Sequence, residues 1–168
     1  MRELDQAQAR RIRAEVLDSG QELSVRWLSV PGRRVVPAEE VSDLADDPLG
    51  VRILAAFAAS GYEAVYCLVT TDLGPGASDQ ACLAALSEVD DWRATYAPFD
   101  VVLVAPDSSA AVLLSVDEFV LVGGSAGFVE SVLGKTIAEG CAEFVAYAQD
   151  MAGASRHLPD LAQRWCAN

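Results

Sequence analysis

The stretch from Phe99 to Gly124, FDVVLVAPDSSAAVLLSVDEFVLVGG, constrains the fold of this chain more than any other. It holds three apolar runs, Val101–Ala105, Ala110–Val116 and Phe119–Val122, separated by turn-forming residues. Runs of this length, rich in β-branched residues and bounded by Pro, Asp, Ser and Gly, read as strands joined by tight turns, so residues 101–122 predict an antiparallel meander. Val112, Leu114 and Val116 share one side of the second run. Continuing that alternation would drive Glu118 inward, so the register must break at Asp117-Glu118.

A second sheet element is expected at Ala64–Thr70, AVYCLVT, a continuous apolar run typical of a central strand covered on both faces. Glu22–Val30 alternates as Leu23, Val25 and Trp27 against Ser24 and Arg26. With Pro31-Gly32 supplying a type II turn and Arg33–Val36 returning, it predicts a hairpin that Pro37 closes.

Helices are expected around these strands. Residues 4–18 place Leu4, Ala9, Ile12 and Val16 near one face and predict a peripheral amphipathic helix. Asp47-Pro48 starts a helix through Ser60, with Val51, Leu54, Ala55 and Ala58 facing in and Phe57 at the edge. Asp72–Gly76 is a loop, and Ser78 or Asp79 caps a helix carrying Cys82, Leu86, Val89, Trp92 and Tyr96 at helical spacing. Ser125–Leu133 forms a short helix that Gly134 terminates. Thr136 and Glu139 make a capping box for a helix with Ile137, Cys141, Phe144, Val145, Ala148 and Met151 on one face, and Asp160 begins a last turn anchored by Leu161 and Trp165.

Together these elements predict an α+β fold with a mostly antiparallel sheet of about five or six strands packed with four to six helices. A length of 168 residues suits one domain, 1–168, with a peripheral N-terminal helix and a short tail over about 154–168.

Charge narrows the function classes. Residues 1–36 carry net +2, residues 37–151 carry net −16 and residues 152–168 carry net +1, for a total of −13. An acidic body repels phosphate backbones and anionic lipid, so no nucleic acid and no membrane are expected as partners. The charged N-terminus lacks an apolar signal core and no run reaches membrane-spanning length, which predicts a soluble, cytoplasmic protein. Cys67, Cys82, Cys141 and Cys166 show no Cys-x-x-Cys spacing and read as buried free thiols.

Motifs for chemistry fail on spacing. Gly134-Lys135-Thr136 ends like a phosphate loop, but the position five residues before Gly134 is Val129 where glycine is required. His157, the only histidine, lies in a polar segment and has no nucleophile motif beside it. The adjacent pairs Glu39/Glu40, Asp46/Asp47, Asp90/Asp91 and Asp117/Glu118 diverge on a helix or strand and make poor dyads. No catalytic residue, cofactor or metal is therefore expected.

The reading that remains is a non-catalytic protein-binding module whose acidic surface meets a basic partner, as an inhibitor or immunity-type protein would. Glu88, Asp90, Asp91 and Trp165 are the candidate contact residues. One alternative is a small-ligand binder or enzyme with a site at the strand end Thr70, Thr71, Asp72 or at the glycine exit Gly123, Gly124, Ser125 within the Gly123–Gly127 turn. Another is a homodimeric assembly component that uses the basic N-terminal helix.

Overall fold

The computed structural model describes residues 1–73 and 80–167. In chain order its elements are β1 (Arg2–Glu3), α1 (Gln6–Val16), β2 (Leu17–Ser19), β3 (Glu22–Leu23), α2 (Val25–Leu28), β4 (Arg33–Glu39), α3 (Pro48–Ala59), β5 (Ala64–Val69) and β6 (Ala81–Ala85). A single 3-10 turn at Leu86–Glu88 leads to α4 (Val89–Thr95). Then follow β7 (Val101–Val104), β8 (Ala111–Leu114), β9 (Phe119–Ser125), α5 (Ala126–Leu133), α6 (Ile137–Asp150) and α7 (His157–Cys166). The fold is α+β: a seven-stranded sheet in the order β1-β6-β5-β7-β8-β9-β4, antiparallel at every pairing, beside a small ribbon of β2 and β3.

Period-two alternation sorts the strand residues into two cores because helices cover both faces. Val65, Cys67, Val101, Leu103, Val112, Leu114, Val120 and Val122 face one core with Ile53 and Phe57 of α3, Trp92 of α4 and Phe128 of α5. Leu68, Val102, Val104, Leu113 and Leu121 face the other with Ile12 and Val16 of α1, Trp27 of α2, Phe144 of α6 and Leu158 of α7. Such strands have no wet side, which is why 101–122 reads as nearly unbroken apolar sequence.

The meander lies where the sequence puts it. Its break is a three-residue turn in which Ser115 N donates to the Phe119 carbonyl at 3.0 Å and Glu118 takes φ = 72°. Val116 sits in that turn, 44% exposed, instead of continuing the inner face.

Three local expectations are corrected. Residues 25–28 are a turn of helix, not a strand, because Ser24 caps Trp27 N and the Asp18 carboxylate accepts from Val25 N at 2.8 Å. The Pro31-Gly32 turn survives, with Gly32 at φ = 85° and Arg33 N donating to the Val30 carbonyl. It delivers β4 to β9 at the sheet edge, where Pro37, opposite Leu121, is tolerated within the strand instead of ending it.

The second correction concerns Ala81–Ala85, a strand between β5 and β1 and not the first turns of a helix. Cross-strand pairing overrides the helix preference of this alanine-rich segment, and helix begins only at Val89. The expected caps Ser78 and Asp79, with most of the expected Asp72–Gly76 loop, lie outside the described residues.

The third is the orientation of α3, which buries Gly50, Ile53, Ala56 and Phe57 and leaves Val51 47% exposed. Nearly every position of this helix is apolar, so its periodicity does not select a face.

Helix α1 buries Ala9, Ile12 and Val16, and Leu4 is buried just ahead of it. The capping box at Thr136/Glu139 is formed, and α7 starts three residues before the expected Asp160. Helix α6 contributes Phe144 and Ala148 to one core while Ile137 and Cys141 pack against the other, so it wraps the β4 end of the sheet. Gly140 permits that approach: a Cβ there would lie 2.7 Å from Leu133 Cδ1 and 3.6 Å from Val36 Cγ1.

Candidate partner-binding surface

At the end of β5, Thr70 is buried and its N–H donates to the Asp100 carbonyl at 3.0 Å. Thr71 and Asp72 are exposed, and Arg10 Nε approaches Asp72 at 3.4 Å. Arg13 of α1 donates Nε–H to the Val69 carbonyl at 2.8 Å, and half-burial lowers its pKa against the opposing pull of Asp72. Next to them Asp100 Oδ1 accepts from Ser115 Oγ at 2.9 Å and Val116 N at 2.8 Å, while Gln21 bonds both Asp100 and Asp117. The polar groups at this strand end thus join α1, β5, β7 and the β8–β9 turn. Their role in that geometry is to hold elements together.

At the glycine exit the space left by missing side chains is occupied. A Cβ on Gly123 would lie 2.9 Å from both Leu23 Cδ1 and Trp27 Cζ3, and one on Gly124 3.0 Å from the Phe128 ring. Ser125 caps α5 by accepting from Phe128 N at 3.2 Å. These residues let α2 and α5 pack close to β9.

Of the candidate contact residues, Glu88 accepts from the Met1 amino group at 2.7 Å and from Ala85 N at 3.0 Å, which lowers its carboxyl pKa. Asp90 accepts from Leu44 N at 3.0 Å, tying the connector before α3 to α4. Asp91 is exposed. Trp165 is half-buried with the Arg164 guanidinium 5.0 Å over its ring, and its buried Nε1 has no hydrogen-bond partner among the described residues. These four residues do not form one cluster.

What sequence reasoning missed is a sorting of charge around α6. On one flank a cleft of about 290 Å3 is lined by Glu39, Glu40, Asp47 and Glu143 together with Arg52 and Lys135. Both cations are engaged: Arg52 Nε donates to the Val132 carbonyl at 2.9 Å and Lys135 pairs with Glu143 at 2.5 Å. Glu39 and Glu40 are exposed and make no ion pair among the described residues. The other flank holds a groove of about 1040 Å3 lined by Leu28, Val35, Cys141, Val145 and Trp165, with Arg34 and Arg164 on it. The only advance signal was the Glu39/Glu40 pair, and its convergence with Glu143 depends on how α6 crosses the sheet edge.

His157 is exposed and its Nε2 lies 2.8 Å from the Asp117 carbonyl, a tie between α7 and the β8–β9 turn. Among the described residues no group of three His, Cys, Asp or Glu side chains could hold a metal, and no helix is long and apolar enough to cross a membrane. Cys67 faces Cys82 across β5 and β6, and Cys141 of α6 and Cys166 of α7 line the same groove. The Cys67 thiol's hydrogen bond to Cys82, with burial, pushes its pKa well up; burial foremost raises that of Cys166. No family model matches the chain, and no curated protein or solved structure matches it.

Proposed function

We propose that the protein is a non-catalytic binding module whose acidic surface docks a basic protein, in the manner of an inhibitor or immunity-type protein. The observation that supports this reading is the cleft at the C-terminal end of β4, which Glu39 and Glu40, exposed and without an ion pair among the described residues, line together with Glu143 of α6. Asp43 and Asp46 stand exposed in the following connector and extend the negative field. Unpaired carboxylates beside one another in a chain of net −13 attract a cationic surface from a distance and accept its Lys and Arg side chains on contact. The experiment is capture of basic proteins on immobilised wild type, on Glu39→Lys/Glu40→Lys and on Glu3→Lys, whose exposed side chain lies on β1 at the opposite edge of the sheet from β4, each at low and high salt. Retention by wild type and Glu3→Lys at low salt, released by salt and lost in the double reversal, supports the reading. Equal retention by the double reversal, or none by wild type, sinks it.

A further inference from the structure

The wide groove bordered by β4, α6 and α7 reverses the charge balance of the chain. Acids outnumber bases 25 to 12 overall, yet Arg33, Arg34 and Arg164 line this groove and, among the described residues, no carboxylate does. The rest of its wall is apolar: Leu28, Val35, Ile137, Val145 and Trp165, with two alanines and two cysteines between them. The three guanidinium groups stand differently. Arg33 is fixed by the Trp27 and Ser108 carbonyls, and Arg164 pairs with Glu22 and lies over the Trp165 ring. Arg34 is exposed, donates from Nη1 to the Arg33 carbonyl at 3.0 Å and has no ion pair among the described residues. On the same wall the Trp165 Nε1 is buried without an acceptor, and a donor left so favours a shift of the ring that brings an acceptor to it. Cations set among apolar side chains match a ligand that joins a negative head to hydrocarbon.

We propose that this groove binds a single-chain anionic amphiphile, an alkyl carboxylate whose head is held by Arg34 with Arg164 and whose chain lies against Val35, Ile137, Val145 and Trp165. The volume of about 1040 Å3 stands at the upper end of small-molecule sites, which run roughly from 300 to 1000 Å3, and accommodates such a chain. Two arguments favour a lone chain over an acidic peptide. Hydrocarbon has no amide to satisfy, whereas an extended peptide along these apolar walls would leave backbone groups unmatched. Repulsion from a body of net −13 also grows with every charge a ligand brings. One carboxylate beside a guanidinium feels that neighbour above the remoter acids, whose field is screened over about 8 Å at physiological salt.

The test titrates the full folded chain with dodecanoate, decanoate, acetate and dodecyltrimethylammonium, all below micelle-forming concentrations, by calorimetry and tryptophan fluorescence. Dodecanoate should bind one to one and more tightly than the ammonium of equal chain length, although a net charge of −13 favours the cation elsewhere on the surface. Decanoate should bind up to roughly fifteenfold more weakly, at about fourfold per buried methylene lost, and acetate should not bind. Trp27 and Trp92 are 3% and 1% exposed, so the fluorescence change should come from Trp165 and vanish in Trp165→Phe while calorimetric binding persists. Arg34→Ala should weaken dodecanoate by roughly three- to tenfold. Arg2→Ala, which removes the same charge from exposed β1 at the other edge of the sheet, should leave it unchanged. Equal or tighter binding of the ammonium, many dodecanoates per chain, equal affinity in Arg34→Ala and wild type, or no dodecanoate binding where an acidic amphipathic peptide binds would each overturn the proposal. The wild-type comparison of the two head groups decides even if a variant fails to fold.

Discussion

The Tyr147 hydroxyl on α6 donates a 3.0 Å hydrogen bond to the carbonyl of Glu118, the residue that takes φ = 72° in the β8–β9 turn. A left-handed conformation costs a non-glycine residue about 1–2 kcal/mol, so the turn persists because its surroundings hold it. Ser155 Oγ also donates to the Glu118 carboxylate, and His157 meets the preceding Asp117 carbonyl. The corner between α6 and α7 is thereby a clamp on this turn. Tyr147→Phe should lower unfolding free energy by about 1 kcal/mol in urea titration, the net value of one such bond. Burial first, then Glu118, Glu40 and Glu39, raises the Tyr147 pKa above its ordinary value. Because the folded value lies above the unfolded one, this contribution is complete below the unfolded pKa and is lost as pH rises through the folded one. Tyr147→Phe should therefore lose less stability than wild type on the alkaline side.

Two helical glycines should respond oppositely to alanine. In α3, a Cβ on Gly50 would lie 2.4 Å from the Asp43 carbonyl oxygen and 2.6 Å from Leu44 Cα, both backbone atoms that cannot swing away. Gly50→Ala should cost about 2 kcal/mol, since overpacking outweighs the roughly 1 kcal/mol gained in helix propensity. Gly127 in α5 has nothing within 4 Å of its ideal Cβ, and Gly127→Ala should gain up to about 1 kcal/mol. Thermal unfolding of the two variants decides both signs; a stabilised Gly50→Ala would refute the close approach of the connector to α3.

The capping box of α6 sets an acid-side prediction. Thr136 Oγ1 and N donate to Glu139 at 2.7 and 2.9 Å, and these bonds lower the Glu139 pKa, the Thr136 side chain foremost. A depressed folded value means that the stabilisation is present above the unfolded pKa and is lost as pH falls through the folded one. Glu139→Gln should flatten that part of the stability-against-pH curve, measured by urea midpoints across the acid range. An unchanged slope would show that the bond does not persist in solution.

These cases also show which features are legible from residues alone. Asp47, Ser125, Thr136 and Gly134 act within a few positions of themselves, and their caps stand where their types predict them. The turn at Glu118 was legible because alternation made its register impossible. Residues 25–28 and 81–85 depart from their patterns for different reasons: capping by Ser24 and nearby Asp18 outweighs the alternation around Trp27, and pairing with the distant β1 and with β5 outweighs the helical spacing through Cys82. That Glu143 lines one cleft with Glu39 and Glu40 is a property of how α6 crosses β4, and nothing within either segment encodes it alone.

Packing between β9 and α2 gives the last prediction. A Cβ on Gly123 would meet Leu23 and Trp27 at 2.9 Å, and flexible side chains can often yield to such an intrusion. Trp27 is poorly able to yield, because its Nε1 donates to the Ser108 carbonyl at 2.8 Å and the Arg33 guanidinium lies 4.2 Å over its ring. Arg33 is itself fixed by donating to the Trp27 and Ser108 carbonyls at 2.7 and 2.8 Å. Gly123→Ala should therefore cost about 1–3 kcal/mol in the wild-type background. In a Trp27→Leu background, already destabilised by the smaller side chain, the same substitution should cost measurably less, a coupling that a double-mutant cycle reads directly. Equal costs in the two backgrounds would mean that Leu23, and not the indole, limits the space above Gly123.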